Sequence, residues 1–258
     1  MENPNDQGTS SPETATNRPP VLDLGNGLAI FLLVFLAFVF AQAFAMVAHV
    51  RSVYPDLADS SWGGVMGSEH WTELATNGDA MSFVSLVSGA AGLVLLLVLG
   101  WIWKRDRSVQ LIGLRPPALK PFLAWSGFFV GVFVVLEVIA QFLPESDVME
   151  KILGTITNYP FFFLGSCLLP ALFEEFLFRG LLLGSLRQAL DKNMAVAISA
   201  GLFTLVHMYY EWYVLLFALL PLAVFLGYAR TNSGSIWTGV FLHFVNNAAT
   251  VALPFLLR

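Results

Sequence analysis

Seven unbroken apolar runs dominate this chain, near Leu28 to Val50, Met81 to Trp103, Phe122 to Leu143, Tyr159 to Leu186, Met194 to Tyr209, Tyr213 to Tyr228 and Ile236 to Leu257. A hydrocarbon core of about 30 Å takes roughly 20 helical residues to cross, so most of these runs suit a bilayer. They are continuous rather than alternating, which favours helices over an outer-membrane barrel. The expectation is an all-α, polytopic transmembrane bundle of about seven spans, between six and eight. The stretch from Tyr159 to Leu190 is too long for one perpendicular crossing, and predicts a tilt, a break near Gly180 or an interfacial continuation.

Composition agrees with the bilayer as solvent. Only 12% of the 258 residues are charged and 57% are hydrophobic, against about a quarter charged in soluble domains. A net charge of -5 carries no basic footprint and argues against a nucleic-acid partner. One cysteine, Cys167, excludes an internal disulfide framework or a cysteine-rich metal cluster. Residues 1–20, rich in Pro, Asn, Thr and Ser, read as a disordered cytoplasmic tail, and 21–258 as the membrane domain. Ala43-Phe44-Ala45 resembles a signal-peptidase site, but the long acidic tail before the first run favours a retained helix.

Lys104, Arg105, Arg107, Arg115 and Lys120 crowd one connection, and Arg187, Lys192 and Arg230 fall in alternate loops on the same side. The positive-inside rule places those loops, and the amino terminus, in the cytoplasm. Acidic residues Asp56, Asp59, Glu69, Glu73, Asp79, Glu145, Asp147 and Glu150 mark the opposite face. No internal repeat is visible, which disfavours transporter folds built from inverted halves.

Charges inside a membrane helix cost about 2.5 to 3.5 kcal/mol each even on lenient scales, so they require a reason. Pro170 to Gly180 (PALFEEFLFRG) holds three. Glu175 and Arg179 are four apart and share a helix face as an ion pair. Glu174 is turned about 100° away and is not neutralised by that spacing, which leaves it as a candidate general base. Phe203 and His207 are four apart in a second run, and His243 and Asn247 in a third. Three polar elements in one half of a membrane chain point to a shared cavity.

In order, Glu174-Glu175-x-x-Phe178-Arg179-Gly180, Phe203-x-x-x-His207 and His243-x-x-x-Asn247 resemble the three motifs of the CAAX protease and bacteriocin-processing (CPBP, or Abi) family, which includes the type II CAAX prenyl endopeptidase. The resemblance covers roughly Tyr159 to Leu257 and implies a peptidase core at 159–257. It implies an intramembrane, glutamate-dependent endopeptidase acting on a membrane-associated protein or peptide. In that reading Glu174 and His207 activate water, His243 and Asn247 stabilise the oxyanion, and Glu175, Arg179 and Phe203 support them. The chemistry is coherent: a carboxylate and an imidazole can move the protons of hydrolysis, and donors aimed at an oxyanion contribute about 2.7 to 4 kcal/mol each. The compact length suggests a prokaryotic cell (inner) membrane protein.

Rival readings remain open at this level. Glu174, His207 and His243 are also zinc-ligand types, although HExxH is missing, so no cofactor is expected and zinc is the alternative. The same cavity suits a non-catalytic regulator or bacteriocin-immunity-type protein that binds without cutting, or a proton path. Cys167 lies about 10 Å along the axis from Glu174 and reads as packing rather than nucleophile. Glu137 and Gln141 read as helix-joining groups, His49 as interfacial, and His70, Glu73, Trp62 and Trp71 as parts of an interfacial loop.

Overall fold

The computed structural model describes residues 23–144 and 147–256, with side chains outside 103–111, 147, 149 and 254–256. The tail 1–20, the side chains of Lys104, Arg105, Arg107 and Asp147, and residues Glu145 and Leu257 lie outside the described residues. The main helices are α1 (Leu24–Val53), α2 (Gly78–Ile112), α3 (Leu119–Ala140), α4 (Tyr159–Leu186), α5 (Lys192–Leu205), α6 (Trp212–Ser233) and α7 (Ile236–Leu256). Among the described residues there is no strand, and six helices, all but α5, are long and apolar enough to cross a membrane. The protein is an integral membrane protein with an all-α polytopic bundle.

Local chemistry starts several helices. Asp23 caps α1 by accepting from the Asn26 amide at 2.7 Å, and Asn158 caps α4 by accepting from Phe161 at 3.1 Å. Asp191 accepts from the amides of Asn193 and Met194 at the start of α5. Each contact satisfies amides that a helix leaves open at its beginning.

α4 is the central element. Half of its most apolar 18-residue window is buried, against 6% for the corresponding window of α3. Phe173, Leu177, Phe178 and Leu182 pack with Ala200 and Phe203 of α5 and Ile236 of α7, whereas α3 lies outside, its Phe129 against Phe225 and Leu226 of α6. Lipid is as apolar as leucine, so helix association depends on close fit. α2 and α4 achieve it at Gly165, where an added Cβ would lie 2.3 Å from the Ser82 carbonyl oxygen, with the Ser82 and Ser166 hydroxyls 3.0 Å apart.

Of the three possibilities for the long fourth run, a break near Gly180 is absent; α4 runs on and holds its polar residues in two π-helical stretches, Phe163–Leu168 and Glu175–Leu182. Such widened turns concentrate at functional sites. The run from Met194 to Tyr209 is not one spanning helix, because α5 has 14 residues, about 21 Å of rise. Beyond it the chain turns tightly, His207 donating its amide to Thr204 and Tyr210 its amide to His207. α6, with 22 residues, is longer than α5, and Lys192 to Asn232 (3.2 Å) and Tyr228 to Asn193 (2.9 Å) pin the start of α5 to the end of α6. The turn 206–211 therefore bridges the difference of about 12 Å in rise between the two helices, with Met208 and Tyr209 exposed along it.

On the far side, Tyr54 donates to Glu73 at 2.8 Å and stacks on His70 with ring centroids 3.7 Å apart. The expected aromatic loop thus folds on itself, with Trp62 exposed. The His49 ring packs near Phe83.

Candidate active site

The backbone fixes His207 first. The turn after Leu205 diverts the His207 amide to Thr204 and leaves the Phe203 carbonyl, four residues back, without its usual helical donor. The His207 ring fills that role: Nδ1 lies 2.7 Å from the Phe203 oxygen. A carbonyl only accepts, so Nδ1 carries the hydrogen and Nε2 presents a lone pair.

His243 reaches the same protonation pattern by another route. Its Nδ1 lies 3.1 Å from Glu175 Oε1, the oxygen that also forms the ion pair with Arg179 Nη1 at 3.1 Å. An ionised carboxylate only accepts, so here too Nδ1 donates. Both Nε2 atoms face one oxygen: Glu174 Oε2 is 4.0 Å from His207 Nε2 and 3.8 Å from His243 Nε2. These gaps are too long for direct hydrogen bonds, and suit a bridging water.

The two glutamates differ in exposure. Glu175 is sealed at 0% side-chain exposure with Arg179 at 1%, while Glu174 keeps 18% and His207 13%. Arg179 also donates to the Ala223 carbonyl of α6 at 3.3 Å and lies 4.1 Å from the centre of the Phe203 ring. That ring stands edge-on to Phe178 and close to both imidazoles. Phe203 is thus the spacer between the buried cation and the two histidines.

Asn247, one turn beyond His243, donates to the Cys167 carbonyl at 3.4 Å, and Ser199 of α5 donates to Phe178 at 3.1 Å. Each π-helical stretch of α4 therefore supplies a carbonyl to a neighbouring helix. Cys167 is 1% exposed, in an apolar group with Ile152, Ile156, Phe162 and Val251. Glu137 and Gln141 sit on peripheral α3, Gln141 exposed at its end, whereas the groups around Glu174 come from α4, α5 and α7.

Gly239 is the residue that sequence reasoning missed. A Cβ there would stand 2.4 Å from Glu175 Oε2, so glycine is what lets α7 close over the carboxylate. The available signal was position, one turn before His243 on the same face. Tyr209 and Tyr210, in the turn after His207, have rings 5.8 and 6.3 Å from the imidazole and line its outer side.

Comparison with known proteins points to the same stretch. Residues 156–249 match the family described as type II CAAX prenyl endopeptidase Rce1-like. The chain is 26% identical over 151 residues to the UPF0177 protein YxdF of Lactococcus lactis subsp. lactis (strain IL1403), an overlap of 55% of this chain and 80% of that protein. No solved structure matches. Every residue of the glutamate–histidine centre lies inside the matched stretch, so the similarity to the type II CAAX prenyl endopeptidase Rce1-like family is carried by the part of the chain that holds the centre.

Proposed function

We propose that the protein is an intramembrane endopeptidase that hydrolyses a peptide bond in a membrane-associated protein or peptide with water activated by Glu174 and His207. The observation that carries this reading is the convergence of two imidazole Nε2 atoms on Glu174 Oε2 at 3.8 and 4.0 Å, with both Nδ1 atoms committed elsewhere. A water there donates one hydrogen to Glu174 and one to an imidazole, leaving its own lone pair for a carbonyl carbon. Glu174 then takes the proton and later delivers it to the leaving amine. General-base groups of this kind contribute about 10² to 10⁴ in rate.

His243 takes a different task in this reading: with its Nδ1 held by Glu175, its Nε2 is the position of a hydrogen donor to the developing oxyanion. Asn247 has a second amide hydrogen beyond the one on Cys167, and is the companion donor. In this account the protein sits in a prokaryotic cell membrane with its amino terminus in the cytoplasm, and the reaction uses no metal.

The test compares membrane and envelope peptide termini in cells carrying the wild type or Glu174→Gln. Termini lost only in the variant identify the substrate; identical termini contradict the peptidase reading. Purified protein stripped with a chelator is expected to keep its cleavage rate. Loss of cleavage restored by zinc would replace the water mechanism with a metal one.

A further inference from the structure

A cavity of about 280 Å³ opens between α4, α5 and α6 at the end of α4 remote from Tyr159. Four cations line it, Arg179, Arg187, Lys192 and Arg230, together with Gly184 and Thr231, and among the described residues no carboxylate lines it. Arg179 is the most buried of these at 1% exposure, while Arg187 is exposed, so the cavity leads inward from an open rim. Arg179 is already paired with Glu175, which leaves Arg187 and Lys192 as the cations toward the open side of the cavity.

Helix ends explain part of this arrangement. Arg187 directly follows α4, and Arg230 lies in the last turn of α6, where a helix dipole favours cations. Lys192 does not fit that explanation, because it is the first residue of α5, at the positive end of a helix dipole. Its ammonium is steered by Asn232 at 3.2 Å and by the Tyr228 ring at 5.8 Å. Gathering like charges around one cavity is repulsive unless an anion joins them. The cavity lies at the ends of two candidate spans, the level at which lipid phosphates stand, and guanidinium groups match phosphate oxygens in pairs.

We propose that this cavity binds a phosphate group, carried by an acidic phospholipid headgroup or by a soluble phosphate. The site is distinct from the space around Glu174, and its occupancy does not depend on the peptidase reading.

The test uses the purified full chain in detergent, titrated with phosphatidylglycerol, phosphatidylcholine or inorganic phosphate. Native mass spectrometry counts retained lipid, and the melting temperature reads stabilisation. Removing two cations with Arg187→Gln and Lys192→Gln together is expected to weaken phosphatidylglycerol retention about tenfold or more, given roughly 1 kcal/mol per basic residue near a lipid surface. The charge-conserving pair Arg187→Lys and Lys192→Arg keeps binding, which separates loss of charge from misfolding. Stabilisation by inorganic phosphate that vanishes in the glutamine variant assigns a soluble phosphate; selective retention of phosphatidylglycerol without it assigns the lipid. Equal retention of phosphatidylglycerol and phosphatidylcholine with no effect of phosphate overturns the proposal, and so does unchanged binding in the glutamine variant.

Discussion

Glu174 and Glu175 are adjacent in sequence and occupy opposite environments. The Glu175 side of α4 is closed: one carboxylate oxygen is shared by Arg179 and His243, and the other lies against Gly239. The Glu174 side keeps some exposure and meets two imidazoles across gaps that fit a water. One π-helical stretch begins at this junction, so the widened turn separates the two roles within a single step of chain. A sealed ion pair is a costly way to gain stability, since removing both charges is often harmless. Its value here is to hold His243 Nδ1 and to set the charge beside Glu174.

The sealed side is the more fragile under single substitutions. Arg179→Ala leaves Glu175 buried with only His243 beside it and removes the contact to Ala223, so a loss of about 3 kcal/mol in stability is expected. Denaturation in mild detergent measures it, and an unchanged melting profile contradicts the pairing. Gly239→Ala pushes on Glu175 Oε2 from α7, an overpacking that costs about 1 to 3 kcal/mol. It is expected to reduce cleavage as well, because His243 moves with its partner. Normal stability and turnover in that variant would show that α7 yields without disturbing the site.

A control far from the centre sharpens the contrast. In the outer loop the Tyr54 hydroxyl, and then His70, hold the Glu73 carboxyl below its ordinary range. A depressed carboxylate adds stability above its unfolded value and loses it as pH falls through the folded one. Tyr54→Phe is therefore expected to lower neutral-pH melting slightly, leave melting in acid unchanged and so flatten the fall between them, with cleavage nearly unchanged. A large loss of cleavage at neutral pH would mean that this loop takes part in the site.

Much of the centre was legible because short spacings inside helices are geometric. Glu175 and Arg179, like His243 and Asn247, are four apart, and their faces follow from periodicity. The ion pair is present, and Phe203 stands beside His207 as expected. The extent of α5 was not legible, because Val206-His207-Met208-Tyr209-Tyr210 is as apolar and aromatic as a helix core. Hydropathy does not separate the two, because the turn carries apolar and aromatic side chains even where they are exposed, as Met208 and Tyr209 are. Which ring nitrogen faces Glu174 depends on a carbonyl freed by that turn and on a glutamate from another helix, neither visible in a one-dimensional pattern. The basic pocket was hidden for the same reason: Arg187, Lys192 and Arg230 read as orientation signals, and only folding brings them around Arg179.

The most direct test sets Glu174→Gln beside Arg179→Ala in purified protein, with turnover on a substrate found by terminus mapping and melting measured in the same detergent. The account predicts that Glu174→Gln melts like the wild type and loses about 10² or more in turnover, while Arg179→Ala loses stability first. Full activity in Glu174→Gln, or a melting loss equal to that of Arg179→Ala, would contradict the division between a working and a supporting glutamate.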